Sequence, residues 1–361
     1  MGAIESLILY VAVAIISTAC FSLHKNDNIF IRRSGILLSI LVPSFVAGIR
    51  YNVGTDYPNY YWTFGQLKGV SYSWILTNKA HFNMDRGFLL LSKFFCQIFD
   101  IKVVFGIWGA IIIAIFITTL YGYCKDYDTT IIFFNFMILQ YYDSFNILRQ
   151  FIAVCIVLTA IKYVFIDKPF KYFALVAIAA IVHFSAVIAI PIWFLWNHTE
   201  HRAISFTGKW FVLLGAFLFA TLWQRIIPYL SAFNIASIIK YSGYLAGNEH
   251  TNMSFLIKFV LTIVFFGLQN TLQKEDSKIG FFILLFSIGM LIDCTGYYSS
   301  FVKRCSLYYS IGEVILFSRL SELVTDNSKN IARFIIAAAA LLYFVIGVFV
   351  LRQGGLIPFS F

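Results

Sequence analysis

The sequence predicts an all-α polytopic membrane protein, and three observations carry that prediction. Hydrophobic residues make up 60% of the 361 and charged residues only 12%, with a mean hydropathy of +0.82. A soluble domain carries about twice that share of charge. Apolar runs of about 20 residues, each long enough to cross a hydrocarbon core of about 30 Å, recur from one end of the chain to the other. The short alternating segments of an outer-membrane barrel are not the pattern here. No polar stretch is long enough for a soluble domain, so residues 1–361 are expected to form a single integral membrane domain.

The spans follow in order. The first is expected at 6–23; only Glu5 precedes its apolar run, so it lacks the basic lead of a cleaved signal and reads as a retained helix. The others are expected at 35–49, 102–123, 129–142, 147–166, 205–222, 255–272, 279–297, 304–320 and 331–351, about ten transmembrane helices in all. Residues 87–99, GFLLLSKFFCQIF, are too short to cross and are interrupted by Lys93, which predicts an interfacial helix. Residues 170–196 are apolar but carry His183 in the middle and Pro191 late, and they read as a re-entrant or broken helix pair bent near His183.

Charge sets the orientation. Lys25, Arg32 and Arg33 place the first loop in the cytoplasm. Alternation then puts 50–101 outside. A hairpin at 170–196, rather than a full crossing, keeps Lys274, Lys278, Lys329 and Arg333 cytoplasmic and leaves a second external loop at 223–254. The net charge of +10 is then explained by basic loops lying against anionic headgroups, with no call for nucleic acid. The six cysteines are scattered without a CxxC and predict neither a disulfide framework nor a metal site.

Against this background Arg50, Arg86, Arg149, Arg225 and Arg304 are conspicuous, because all fall at or near the external face. Snorkelling at a helix end accounts for any single one. As a group they suggest a phosphate or pyrophosphate held at the outer leaflet, since guanidinium is a permanently charged fork suited to phosphate oxygens. Arg149 is the most informative. In SFNILRQFIA, the residues Asn146, Arg149, Gln150 and Ala153 share one helical face, and a helix N-terminus adds free N–H groups there. The plainer alternative is an Asn146 N-cap beside an interfacial arginine.

Around Arg304 the sequence reads YYSSFVKRCSLYYS, whose tyrosines suit an aromatic belt or a glycan groove equally. His183 suits either a histidine tied to a backbone carbonyl or a proton carrier. Asp56 follows Gly54 and Thr55. It suits a turn cap at Pro58, a partner for Arg50, or an acceptor for a sugar hydroxyl proton. Asp85, Asp143 and Glu249 are further external acids, while Asp293 and Glu313 lie in apolar runs and should face the interior. The DYD at Asp126–Asp128 matches a nucleotide-sugar motif by chance, since its short loop has no room for a nucleotide domain. There is no P-loop, GxGxxG, HExxH or GxSxG.

Four blocks in order, GIRYNVGTDYPNY (48–60), FNILRQFIA (145–153), HFSA (183–186) and KRCSLYY (303–309), resemble the markers of the EpsG/Wzy-type family of bacterial polysaccharide polymerases. The resemblance implies a multi-pass glycosyltransferase of the bacterial plasma membrane that uses no cofactor, metal or nucleotide sugar. Such enzymes join repeat units carried on undecaprenyl pyrophosphate at the outer leaflet into O-antigen, capsule or exopolysaccharide. Its partners would be a lipid-linked donor, a lipid-linked acceptor and the bilayer, with a chain-length regulator and a flippase as candidate associates.

On that resemblance Arg149 and Arg304 would bind the pyrophosphate, with Arg50 a third contact or an anchor for the acceptor. Asp56 and His183 compete for the role of base; Asp56 lies on the external side with the sugars, whereas His183 sits deeper. Tyr57, Gln150, Asn146 and Tyr298 would orient sugars. A flippase for lipid-linked oligosaccharide is the main alternative. It should line a central cavity with arginines in matching halves, whereas these collect at one face. A ligase with another acceptor and a structural subunit are the remaining readings.

Overall fold

The computed structural model describes residues 1–77, 79–199, 204–205, 207–216, 218, 253–294 and 303–361. Every regular element among them is helical. The helices gather into two compact units, 1–187 with 317–361, and 188–316.

The first unit opens with α1 (Ala3–Ser22) and α2 (Ile29–Ile49), an antiparallel hairpin. The turn between them is polar, and Asn28 caps α2 by accepting from the Phe30 and Ile31 amides at 2.9 and 3.4 Å. Inside the hairpin, Ser17 Oγ donates to the Ser39 carbonyl at 2.6 Å, one of the small polar bridges that hold apolar helices together. Three helices then run along the chain in succession: α3 (Tyr57–Leu67), α4 (Tyr72–Thr77) and α5 (Lys79–Phe82). Next come α6 (Arg86–Ile98), α7 (Ile101–Tyr123), α8 (Thr129–Leu139), α9 (Leu148–Phe165) and α10 (Pro169–Val182). The last long helix begins at Lys329. Asp100 and Asp128 cap α7 and α8 with their carboxylates.

Among the described residues, six helices are long and apolar enough to cross a membrane: Ala3–Lys25, Ile29–Ile49, Ile101–Tyr123, Leu148–Phe165, Phe255–Lys274 and Asp326–Val350. The expected count of about ten is not reached among the described residues, for physical reasons that differ by run. The 129–142 run stops at Leu139 and tightens into a 3-10 turn, Tyr141–Phe145, where the Tyr141 hydroxyl leaves to bond the Pro43 carbonyl at 3.2 Å. The 304–320 run breaks into Leu307–Ser310 and Glu313–Leu320. Ser310 Oγ bonds back to the Ser306 carbonyl, and Gly312 follows. Such back-bonding serines bend helices. The 279–297 run is helical over Ser277–Asp293, and 205–222 is described only in part.

Several loops of the first unit meet at one end. Thr129 Oγ1 meets His24 Nε2 at 3.0 Å, and Arg333 pairs with Asp128 at 2.9 Å. Tyr123 packs against Phe165. Lys25, Lys125, Lys168, Lys329 and Arg333 thus belong to loops gathered at one end. Residues 170–196 are expected to be a broken helix pair bent near His183. The helix is indeed broken at His183, but α10 is no shallow arm. It runs back beside α9 for its full fourteen residues, about 21 Å, so His183 emerges at the end opposite the lysines, not at mid-depth.

Helix α6 is amphipathic, burying Phe88, Leu89, Ser92 and Cys96 while exposing Leu91, Phe94 and Ile98, as an interfacial helix should. Lys93 does not interrupt it. The side chain is buried, its ammonium donates to the Leu67 carbonyl at the end of α3 at 3.1 Å, and it lies 5.1 Å from the Tyr72 ring. A cation on the last carbonyls of a helix is favourable. Of the two loops expected outside, 50–101 is folded into α3 to α6, and 223–252 of the other lies outside the described residues.

In the second unit, α11 (Ile192–Thr199) is followed by α12 (Met253–Glu275) and α13 (Ser277–Asp293), which pack as a pair. Asp293 is buried as the sequence predicts. It accepts from Ser306 Oγ at 3.3 Å and has Lys258 Nζ 3.9 Å away.

Candidate functional site

The site lies at the end of the first unit opposite the lysines, where three chain segments converge. Asp85 stands just before α6, Arg149 in the first turn of α9, and His183 just after α10. Asp85 occupies the N-cap position of α6 but makes no capping bond, because its carboxylate is used elsewhere. Oδ2 accepts from Arg149 Nη1 at 2.9 Å and from His183 Nδ1 at 2.9 Å, and Oδ1 accepts from the Phe184 amide at 3.2 Å. Gly87 makes this approach feasible: a Cβ there would lie 2.3 Å from Ile181 Cγ2 and 2.6 Å from the Ile181 carbonyl oxygen. Only a residue without a side chain lets α6 start against the end of α10.

The three side chains are partly buried, at 19% exposure for Arg149, 22% for Asp85 and 17% for His183. Burial pushes the Asp85 carboxyl up. The His183 hydrogen bond, the Arg149 charge and the Phe184 amide outweigh it and hold the group below its ordinary value. Arg149 keeps unused capacity, because its Nε is buried without a hydrogen-bond partner. Its own amide points at the Tyr60 hydroxyl, 3.5 Å away.

The remaining expected residues are placed as follows. Arg50 caps the end of α2 but is not an exposed lip; it is 1% exposed, and its Nε and Nη1 have no hydrogen-bond partner. Aromatic rings replace hydrogen-bonding partners, with the guanidinium carbon 3.9 Å from the Phe145 ring centre, 4.9 Å from Phe105 and 5.7 Å from Tyr57. Asp56 does not pair with it. Asp56 is half-buried at the head of α3, and its side chain makes no capping bond. Tyr57 is buried against Phe105 with its hydroxyl unpartnered. Gln150 is buried inside α9.

Asn146 does not share the face of α9, since the helix begins at Leu148. Its Oδ1 instead accepts from the Thr55 amide at 2.5 Å and the Thr55 hydroxyl at 2.9 Å. Arg304 belongs to the second unit and is exposed. Tyr298, Arg225 and Glu249 lie outside the described residues.

Asp85 is the residue that sequence reasoning passed over; it was one external acid among several. The one signal was its place before Arg86-Gly87 and an amphipathic run. The DYD motif has a structural explanation, because Asp128 caps α8 and pairs with Arg333. Among the described residues no three His, Cys, Asp or Glu side chains gather as a metal site would require.

Fold and site together define a multi-pass, all-helical membrane protein with an arginine–carboxylate–histidine cluster at one end of its helices. The chain belongs to the EpsG family, which it matches over residues 35–361. Membership makes it a membrane protein of polysaccharide biosynthesis, of the polymerase type. No curated protein and no solved structure is matched.

Proposed function

We propose that this protein polymerises oligosaccharide repeat units carried on undecaprenyl pyrophosphate, at the outer leaflet of the plasma membrane. A hydroxyl of the acceptor glycan attacks the anomeric carbon of the donor, and undecaprenyl pyrophosphate departs. Pyrophosphate is already an adequate leaving group, so the enzyme's task is to stabilise the charge that develops on it. A preorganised guanidinium in a water-poor site does this well. Arg149 is that group in the first unit. Tethering both substrates in one leaflet supplies proximity, and Asp56, half-buried at the head of α3 in the same unit, is on the glycan side.

The observation that carries this reading is the state of Arg149. It is partly exposed at a helix N-terminus, at the end opposite the basic loops, with Nε unpaired. A chain-length regulator and a flippase fit as partners of such an enzyme. The deciding experiment is extension of purified lipid-linked repeat units by the purified protein. Long products establish the polymerase. No products, together with movement of the lipid-linked unit across vesicle membranes, would establish the flippase.

A further inference from the structure

We infer that Asp85 is the positioning residue of this site: it binds the phosphate arginine and the base to one carboxylate and turns His183 so that Nε2 takes the acceptor's proton. The inference rests on the polymerase reading and decides a choice that reading leaves open, between Asp56 and His183.

The geometry supplies the argument. Oδ2 of Asp85 receives two donors, Arg149 Nη1 and His183 Nδ1, each at 2.9 Å, while Oδ1 receives the Phe184 amide at 3.2 Å. A carboxylate beside a ring nitrogen places the proton on that nitrogen. The other nitrogen is then left with its lone pair. Among the described residues no hydrogen bond reaches Nε2 of His183, and the side chain is 17% exposed, so the lone pair is presented to whatever enters. Asp56 has no comparable support. Among the described residues no side chain bonds its carboxylate, and its own side chain does not cap α3.

The step balances without a co-reactant. The acceptor O–H bond breaks, and its proton goes to His183 Nε2. The oxygen forms the new bond to the anomeric carbon. The bond from that carbon to the pyrophosphate oxygen breaks with its electron pair, and that charge develops where Arg149 can meet it. Asp85 touches neither substrate. It fixes the spacing between the proton acceptor and the anion site, and its negative charge favours the imidazolium that forms.

Asp85→Asn is a sharp test because an amide cannot replace this carboxylate. Three donors converge on Asp85, whereas an amide offers one oxygen and one NH2, so at least one donor is left facing another. General-base catalysis contributes about 10²–10⁴-fold. Asp85→Asn is therefore expected to lower kcat for extension by ~10²-fold or more with a much smaller change in KM. Asp85→Glu, which keeps the charge, recovers part of the loss.

His183→Gln is expected to match Asp85→Asn, and the double variant to be no worse than the weaker single, because residues that act as a unit are not additive. Losses that multiply in the double variant overturn the inference. So does Asp85→Asn with wild-type kcat, or His183→Gln that extends normally. Thermal unfolding of the same four proteins in detergent supplies a readout independent of activity: the two substitutions should be coupled there too, and strict additivity counts against the pair. Wild-type protein that fails to extend sinks the polymerase reading itself, and the unfolding cycle still reports whether Asp85 and His183 act together.

Discussion

Tyr51 and Ser360, 309 positions apart, hold each other at the site end of the first unit. The Tyr51 amide donates to the Ser360 carbonyl at 2.8 Å, and Ser360 Oγ donates back to the Tyr51 carbonyl. The contact continues along both segments. Gly54 and Thr55 amides donate to the Gly355 and Gly354 carbonyls at 3.0 and 3.2 Å. Gly354, at φ +72°, takes a backbone turn that suits glycine and lies against the Asn146 side chain. The tail is also anchored to α1, through Tyr10 Oη to the Leu356 carbonyl at 2.7 Å and the Phe359 amide to Ser6 Oγ at 2.8 Å. The loop that carries Asp56 is therefore shaped by residues 354–360.

Removing residues 353–361 should expose the 51–56 loop to protease and reduce extension, while the protein still reaches the membrane. Phe359→Ala is the milder version. Phe359 is fully buried beside Tyr10, and its truncation should cost about 3–5 kcal/mol, read as a lower midpoint in detergent unfolding. Unchanged protection and unchanged unfolding would mean that the tail is only an ornament of the fold.

Arg149→Ala should abolish long polymer with membrane levels near normal, a loss of ~10²-fold or more if a preorganised charge is removed from the departing pyrophosphate. Arg149→Lys should rescue poorly. Lysine keeps the charge but cannot bind Asp85 and a phosphate at once with a planar fork. Polymer length on gels, normalised to protein in the membrane, is the measurement. Long chains from either variant would remove Arg149 from the phosphate site.

The depressed Asp85 carboxyl predicts how the site responds to acid. A group whose folded value lies below its unfolded one stabilises the fold while ionised. That contribution is complete above the ordinary carboxyl value of 3.8 and is lost as pH falls through the lower folded value. Wild type should therefore exceed Asp85→Asn in unfolding temperature at pH above 3.8, and the margin should shrink as pH falls below that value. A margin that instead disappears between pH 7 and 5 would assign the dependence to another group.

Much of the fold is legible in the sequence because membrane helices write themselves as length and hydropathy. The spans at 6–23, 35–49, 102–123 and 147–166 all recur as helices of the first unit, and the break at His183 follows from one polar residue in an apolar run. What hydropathy could not convey is where an apolar run stops being one helix. At 140 and 306–312 the breaks depend on hydroxyl contacts with residues far away in sequence or on local serine bonds. Arg149 and His183 were legible as polar residues in costly places. Their common partner was not, because Asp85 lies 64 and 98 positions away and only the packing of α6 against α10 brings it in. Arg50 was legible as unusual, but its direction was not. An arginine at a span end reads the same whether it reaches into water or turns back into aromatic rings.

That direction leads to the last prediction. Arg50 is enclosed by Phe145, Phe105 and Tyr57, and Tyr10, Tyr60 and Tyr141 are close enough to feel its charge. These residues come from α1, α3, α7 and the turns beside α9, so the guanidinium sits where the segments around the site meet. Cation–π contacts in a desolvated place contribute ~2 kcal/mol or more, and removing an enclosed side chain leaves a cavity as well. Arg50→Ala should lower the unfolding midpoint more than Arg149→Ala does, because Arg149 is partly exposed and Arg50 is not. Arg50→Lys should fall between wild type and alanine, since an ammonium keeps the charge and loses the planar stacking. Its extension activity per folded molecule should stay within about tenfold of wild type, because a group behind three rings affects substrate only through the walls it supports. Arg50→Lys with wild-type unfolding and no extension would reverse this account and return Arg50 to direct contact with the pyrophosphate.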